Sequence, residues 1–247
     1  VTYNVLENNG TINGDLITPL ELPIAIMPDF PEFECGNEDI EVARNGNMEL
    51  EEGTYGHLSV ERDGAVTFTG GMYTFRSINS RDNSSLIFLE ESEVRIKDKF
   101  VTETSVYVGP AEDASITARD IVFYVESQNG NNGRLGDSPK SAAIGISNIW
   151  HANIYVPNGT LWIRREANAE GSFIAKDIIV GTRAIVELNS GFEIPGGEPD
   201  QTRIMLIPGW NYISTNFTPP QDMFEPLEVR GPDVELMFEQ LRAPNGE

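Results

Sequence analysis

The chain has 247 residues, of which 39% are hydrophobic and 23% are charged, a composition typical of a folded globular protein. Its 39 acidic residues against 17 basic ones give a net charge of −22, which argues against binding to nucleic acid or to anionic membrane surfaces. The single cysteine, Cys35, excludes a disulfide within the chain, and no run of about 18 apolar residues predicts a transmembrane helix.

The first 47 residues contain the proline-rich apolar stretch TPLELPIAIMPDFPEF. Proline at this density disfavours a helix or an interior strand, so residues 1–47 are predicted to form an extended arm. Because the arm is too apolar for a free linker, we expect it to lie either on the flank of its own chain or on a neighbouring subunit as an added strand. Its candidate subunit-contact residues are Leu20, Leu22, Ile24, Ile26, Phe30 and Phe33.

From residue 48 onward, short alternating apolar runs recur about every twenty residues. The run Ala65-Val66-Thr67-Phe68 returns as Ser85-Leu86-Ile87-Phe88, and Gly53-Thr54-Tyr55 returns as Gly71-Met72-Tyr73. Alternation indicates strands with one buried face, and the tight spacing leaves no room for crossover helices. Residues 48–194 are therefore predicted to be an all-β domain, a parallel β-solenoid (β-helix) of about seven coils.

Two details of the repeat bear on this prediction. In the second half the period is interpreted as 24 residues, from Ile154 to Ile178 and from Leu161 to Ile185. Only Asp63-Gly64 is interpreted as a two-residue hairpin signal, and the runs repeat their register without mirroring it. The alternative fold is an antiparallel β-sandwich, whose strands also recur about every 8–12 residues.

Residues 127–141, SQNGNNGRLGDSPKS, interrupt the repeat with a long, polar, glycine-rich loop. Such loops are often functional, and Asn and Asp oxygens are suitable ligands for Ca²⁺. No known calcium-loop motif is present, so Ca²⁺ is a candidate ligand without a specific site, and no other cofactor is predicted.

The sequence offers few candidate catalytic residues. Neither His57 nor His151 lies near a nucleophile elbow, and both are interpreted as structural or surface residues. A glycoside-cleaving solenoid would need paired carboxylates at matching positions of the repeat, such as Glu93 and Asp113, twenty residues apart. With so many acidic residues such pairs arise by chance, and the chain is predicted not to be an enzyme.

Residues 195–247 are predicted to form a small β extension or a docking arm. Strand-like runs at 204–207, 209–214 and 234–238 are separated by prolines. The candidate subunit-contact residues here are Trp210, Tyr212 and Phe238. Trp210 is also grouped with Trp150 and Trp162 as exposed aromatic residues that could stack on sugars.

Several stretches resemble the motifs of one family: GTYGHLSV (53–60), GGMYTF (70–75), IVFYV (121–125), ANIYVPN (152–158), GSFIAKDI (171–178) and NGTING (9–14). They are similar to a bacterial extracellular domain found in cell-surface and pilus-associated proteins, and more distantly to the β-solenoid bactofilins, which lack the GTY signature. The resemblance implies a stacked β-solenoid on the cell exterior, with no catalytic residues to assign. The chain departs from the family in its acidity and in its C-terminal extension.

These observations lead to one functional prediction and an alternative. The prediction is an extracellular structural protein whose solenoids self-assemble into a filament or surface layer, through end stacking and strand addition by the terminal arms. The alternative is a monomeric cell-surface module for adhesion or glycan binding. Because the chain starts at Val1 without Met, it is interpreted as a mature or trimmed form, which is compatible with secretion.

Overall fold

The computed structural model of the chain describes Ile12 and residues 29–192, and it shows a parallel β-solenoid of about seven coils. The predicted fold class is therefore confirmed. Most coils contain three short strands, and each strand pairs in parallel with its counterparts in the neighbouring coils. Short turns of Gly, Asn, Asp and Ser allow the chain to change direction between the strands.

The strands follow one another around the coils in chain order. Coils 1 to 3 consist of β1 (Ile40–Val42), β2 (Asn47–Leu50), β3 (Gly53–Thr54), β4 (His57–Val60), β5 (Ala65–Phe68), β6 (Gly71–Phe75), β7 (Ser77–Ser80), β8 (Ser85–Phe88) and β9 (Ser92–Ile96). Coil 4 consists of β10 (Phe100–Thr102), β11 (Tyr107–Pro110), a 3₁₀ turn (Ala118–Asp120) and β12 (Ile121–Val125). Coils 5 to 7 consist of β13 (Ala142–Ile144), β14 (Ile149–His151), β15 (Asn153–Ile163), β16 (Asn168–Gly171), β17 (Phe173–Val180) and β18 (Ile185–Leu188).

Three faces run along the stack. Face 1 holds β1, β4, β7, β10, β13 and the second halves of β15 and β17, and face 2 holds β2, β5, β8, β11, β14, β16 and β18. Face 3 holds β3, β6, β9, β12 and the first halves of β15 and β17. Because β15 and β17 continue from face 3 onto face 1 of the next coil, these two faces form one 11-stranded sheet.

The core lies between the three faces and is built from the alternate residues of each strand. Val66 and Phe68 are fully buried, and they pair with Leu86 and Phe88, which are also fully buried. The rings of Phe68 and Phe88 stack with their centroids 4.5 Å apart. The twenty-residue repeat of this run is thus a vertical stack of side chains, as predicted.

The register differs from the expectation in two places. Gly53 pairs with Tyr73 and not with Gly71, so the two similar stretches that begin at Gly53 and Gly71 are out of register by two residues. In the second half, Ile154 pairs with Phe173 and not with Ile178, and Leu161 pairs with Ile178 and not with Ile185. The predicted 24-residue spacing is therefore wrong, because β15 and β17 each span a corner and supply strands to two coils.

The turn between faces 1 and 2 holds one residue in the left-handed conformation in every coil, with φ between 54° and 61°. The backbone N–H of this residue donates to the next coil, as from Asp63 to Asp82 (3.1 Å) and from Asn83 to Thr104 (2.9 Å). Asp63-Gly64 is therefore a corner of the solenoid and not a hairpin. This turn ladder comprises Asn45, Asp63, Asn83, Ser105, Ser147, Glu166 and Arg183.

The solenoid extends further toward the N-terminus than the predicted boundary at Met48. β1 begins at Ile40 and pairs with β4, with Ile40 opposite Leu58. Residues 29–39 have no regular secondary structure. The predicted contact residues Leu20, Leu22, Ile24, Ile26, Trp210, Tyr212 and Phe238 lie outside the described residues, as does the C-terminal extension 195–247.

Candidate functional site: the end of coil 7 and the N-terminal strap

The inward-facing positions of the last coil are exposed. Ile178 pairs with Leu161 and Val180 pairs with Ile163, both of which are buried in the coil before. In coil 7, Ile178 is 46% exposed, Val180 is 53% exposed, and Leu188 on β18 is 84% exposed. Side chains aimed at the core axis are therefore accessible at this end of the stack. We call Ile178, Val180, Val186 and Leu188 the coil 7 end.

The strand edges of coil 7 are open within residues 29–192. In this part of the chain β17 pairs only with β15, and β18 pairs only with β16. Unpaired N–H and C=O groups on a strand edge form a template for a further strand. The coil 7 end therefore combines exposed apolar side chains with an open hydrogen-bonding edge.

Coil 1 lies at the opposite end and differs in burial and charge. Its inward-facing Val42 and Leu50 are buried, and Met48 is half-buried against the core. Its strands pair on one edge only within the described residues. Residues 38–54 carry six carboxylates and one arginine, whereas residues 176–188 of coil 7 carry two acidic and two basic residues.

An extended segment, residues 29–39, crosses several coils, and we call it the N-terminal strap. Near coil 2, Asp39 Oδ1 accepts a hydrogen bond from the backbone N–H of His57 (2.7 Å). On β6 of the same coil, the Thr74 hydroxyl donates a hydrogen bond to the backbone carbonyl of Glu34 (3.0 Å). These contacts attach the C-terminal part of the strap to coil 2.

The N-terminal part of the strap continues toward the later coils. The Lys97 ammonium, just after β9 of coil 3, lies 5.6 Å from the centre of the Phe33 ring. The Phe30 ring packs edge-on against Tyr124 of coil 4 (5.8 Å) and Tyr155 of coil 5 (6.0 Å). The predicted contact residues Phe30 and Phe33 thus lie on the flank of their own solenoid.

Phe30 belongs to an aromatic cluster that also receives the other end of the described chain. Phe192 packs edge-on against Tyr124 (6.2 Å) and Tyr155 (6.4 Å). Burial raises the pKa of both tyrosines above the usual value. We call Phe30, Tyr124, Tyr155 and Phe192 the aromatic cluster.

The chain reaches Phe192 by turning back from coil 7. The backbone N–H of Asn189 donates to the carbonyl of Gly171 in coil 6 (3.1 Å). The N–H of Gly191 then donates to the side-chain oxygen of Asn153 in coil 5 (2.9 Å). Asn153 is fully buried and also donates to the carbonyls of Ala118 (2.6 Å) and Ile121 (3.2 Å). The buried amide therefore fixes this return path.

A groove of about 670 Å³ lies between the strap and the solenoid. Its walls include the aromatic rings of Phe30 and Phe33 and the polar groups of Lys97, Glu126 and Asn158. Lys97 donates to the Glu126 carboxylate (2.6 Å), and this hydrogen bond raises the pKa of Lys97. The groove is a mixed aromatic and polar surface, and sequence reasoning missed it because the strap brings its two sides together.

Cys35 lies beside this groove and is partly buried. Burial raises the pKa of its thiol, and the nearby charges of Arg76 and Lys97 oppose this effect. A raised pKa lowers the fraction of the reactive thiolate.

His57, Glu93 and His151 lie in three different coils. The His57 ring lies 2.6 Å from the hydroxyl of Ser77 in coil 3, whereas His151 packs against Tyr107 of coil 4. Glu93 is in register with Met72 and Val122, so it does not form the matched carboxylate pair with Asp113 that a glycoside-cleaving solenoid would need. The insertion between β11 and β12 lengthens this coil and breaks the twenty-residue spacing.

Two of the three tryptophans lie in the described region. Trp150 is fully buried and donates its indole N–H to the carbonyl of Ala152 (2.8 Å), so its expected exposure is wrong. Trp162 is half-buried and faces outward, and the Arg164 guanidinium lies 4.9 Å from the centre of its ring. Trp210 lies outside the described residues.

The loop at 127–141 is a hydrogen-bonded excursion between coils 4 and 5. Asn129 is fully buried, and its side-chain oxygen accepts from the N–H groups of Ser141 (3.2 Å) and Thr160 (2.9 Å). Lys140 donates to the carbonyls of Leu135 and Asp137. Within residues 29–192, no group of three or more His, Cys, Asp or Glu side chains is placed to hold a metal ion.

Comparison of the chain with protein-family models, with curated proteins and with solved structures found no match. The resemblance to the bacterial cell-surface family therefore stays a prediction from motifs. In the described part of the chain, no helix combines the length and the hydropathy needed to cross a membrane.

Proposed function

We propose that this protein is an extracellular structural protein whose solenoids stack end to end into a filament or surface layer. The coil 7 end of one subunit would lie on coil 1 of the next. The observation that carries the proposal is the exposure of inward-facing apolar side chains in coil 7, of which Leu188 is 84% exposed. Burying one such side chain fully contributes about 1.5–3 kcal/mol, so covering the whole end favours association.

The strand arrangement supports stacking of this polarity. All pairs between neighbouring coils are parallel, so coil 1 of a second copy presents strands that can continue the same pairing. The contact joins two different surfaces and leaves one of each free at the two ends of the pair. A contact of this kind that does not close into a ring produces a fibre.

The charge distribution also supports contact between opposite ends. Coil 1 is strongly acidic, whereas acidic and basic residues balance in coil 7. A junction of unlike ends therefore brings fewer like charges together than a junction of two coil 1 ends. The remaining acidity would keep the polymer soluble and attract Ca²⁺ as a counter-ion. The extracellular location rests on the motif resemblance, and no catalytic role is assigned.

The test is a charge placed at the stacking surface. We expect Leu188→Asp to abolish filaments in negative-stain electron micrographs, with and without Ca²⁺, because stacking would bury the new carboxylate in an apolar contact. The matched control is Leu135→Asp, which changes a leucine that is 51% exposed in the loop at 127–141. Filaments in both variants, or no filaments from the unaltered protein at any concentration tested, would overturn the proposal.

The second candidate function is glycan binding, and the groove beside the strap favours it. Aromatic rings next to carboxylate and amide groups suit sugars, which present apolar faces and hydroxyl groups. For this candidate function, we expect Phe33→Ala to weaken glycan binding, because Phe33 lines the groove. Leu188→Asp should leave the affinity unchanged. Screening the unaltered chain against immobilised glycans is the first measurement, and no binding there would exclude this candidate.

A further inference from the structure

The strap has a direction along the stack. Read from Asp39 toward the N-terminus, it passes from coil 2 to Lys97 in coil 3 and then to Tyr124 and Tyr155 in coils 4 and 5. The strap therefore runs toward the coil 7 end. Only coils 6 and 7 remain beyond Tyr155, a distance of about 10 Å at the usual strand spacing.

The residues that precede the strap are long enough to reach this end. An extended chain covers about 3.3 Å per residue, so three or four residues before Asp29 span the remaining distance. Pro28 and Pro23 favour an extended path. Residues 20–26 would then arrive at the end of the stack.

The pattern of residues 20–26 fits what this end exposes. In the sequence LELPIAI, apolar residues alternate with Glu, Pro and Ala. In an extended chain, alternate side chains point to the same side. In an extended conformation, one side of this segment would therefore carry four large aliphatic side chains, Leu20, Leu22, Ile24 and Ile26, the same number and kind as the exposed side chains of the coil 7 end.

The C-terminal segment is less well placed to cover the same surface. After β18 the chain runs back along the stack, from Gly171 in coil 6 to Asn153 in coil 5. At Phe192 it reaches the aromatic cluster and is still directed away from coil 7. The two ends of the described chain meet at one place, but only the N-terminal one is heading toward the exposed end.

We propose that residues 20–26 cover the coil 7 end of their own solenoid as an added edge strand. A proline is tolerated at such an edge, where one side of the strand makes no ladder hydrogen bonds. The arm then competes with the next subunit for the same surface, so stacking requires its displacement. This regulatory role rests on the proposed function, whereas the position of the arm does not.

The experiment measures crosslinking within one full-length chain. In a Cys35→Ser background, Glu21→Cys is combined with Glu187→Cys in coil 7 or, as the matched control, with Glu49→Cys in coil 1. Glu187 and Glu49 are both exposed and occupy equivalent outward positions on face 2. The reagent is a short bismaleimide, used on protein too dilute to associate, and the product is identified by mass spectrometry. Circular dichroism verifies that both variants keep the β-rich fold.

We expect the intramolecular link to form at least about ten times faster with Glu187→Cys than with Glu49→Cys, because proximity raises the effective concentration. Equal rates would overturn the proposal. Links mainly between chains would also overturn it, and would place the arm on a neighbouring subunit.

A second variant separates the two proposals. Leu22→Asp with Ile24→Asp in the full-length chain should weaken the cap, and we expect filaments to form at a lower protein concentration. If the crosslink forms but neither chain assembles, the cap stands and the filament proposal fails. If filaments depend on Leu188 but the crosslink is absent, the filament proposal stands and the cap fails.

Discussion

Single residues set the corners of this solenoid. The turn ladder places a left-handed residue at the same corner of every coil, and each one donates a backbone hydrogen bond to the next where a further coil follows. The left-handed conformation costs an ordinary residue about 1–2 kcal/mol, less for Asn or Asp. The first three positions are Asn45, Asp63 and Asn83, whereas the last two are Glu166 and Arg183.

This ladder gives a prediction about stability. We expect Asn83→Val to lower the free energy of unfolding by about 1–2 kcal/mol, because a β-branched side chain clashes with the backbone at positive φ. Asn83→Gly is the matched control: it also removes the side-chain hydrogen bond to Asp63 (3.2 Å) but tolerates the conformation. Urea denaturation followed by circular dichroism measures both. Equal losses in the two variants would contradict a backbone origin.

Single residues also explain why the spacing of paired strands in the second half of the solenoid is predicted incorrectly. The left-handed corners at Ser147, Glu166 and Arg183 lack the Asn or Asp that marks such a turn, so the sequence carries no clear signal for them. Ile154 and Leu161 then offered only apolar alternation, which does not specify the partner strand. The inward direction of Trp150 was hidden for the same reason, since either phase of an alternating strand can face the core.

At the scale of elements, the parallel β-solenoid is the prediction that the structure confirms, and the strap is the part of the predicted N-terminal arm that the structure describes. Prolines and apolar residues together predicted an extended segment lying on another surface, and residues 29–39 do lie on the solenoid flank. The sequence could not choose between the chain's own flank and a neighbour, because both offer apolar contact. The exposure of coil 7 could not be predicted either, because the strands of a covered coil and of an uncovered coil show the same alternation of apolar and polar residues.

The strap is expected to respond to alkaline pH. Burial raises the pKa of Tyr124 and Tyr155 in the folded state, so the stability that their neutral form contributes is complete below their unfolded pKa of about 10 and is lost as pH rises through the higher folded values. We expect proteolysis within residues 29–39 to accelerate in this pH range. The measurement is limited digestion with an alkali-tolerant protease, mapped by mass spectrometry.

The control for the alkaline prediction is the double variant Tyr124→Phe with Tyr155→Phe, which keeps the rings but cannot ionise. Its cleavage rate in the strap should stay flat over the same pH range after correction for the protease's own pH profile. The prediction fails if the double variant and the unaltered chain accelerate equally, because another group would then control the strap.

At the scale of the whole molecule, the net charge of −22 opposes any assembly of identical subunits. Like charges on the outer faces repel one another along a filament. At 0.1 M ionic strength, salt largely screens the repulsion between charges that are more than about 10 Å apart. The apolar contact at the coil 7 end is much less affected by moderate salt. Association should therefore depend on ionic strength in a definite direction.

We expect filaments to appear at a lower protein concentration when sodium chloride is raised from about 10 mM to about 300 mM, because screening reduces the repulsion. Light scattering with electron microscopy provides the measurement. The Leu188→Asp variant should remain dispersed at both salt concentrations, which separates stacking from nonspecific aggregation. A filament that dissolves as salt increases would contradict this account, since its contacts would have to be mainly ionic.

The aromatic cluster has a mechanical consequence. Phe30 and Phe192 hold the two ends of residues 29–192 against the same pair of tyrosines, part-way along the stack. A pulling force applied at residues 29 and 192 would therefore enter the molecule at one place and load this cluster first. The coils would experience little tension until the cluster opened. The aromatic cluster would therefore bear the load first, and the strap would detach before any coil unfolded.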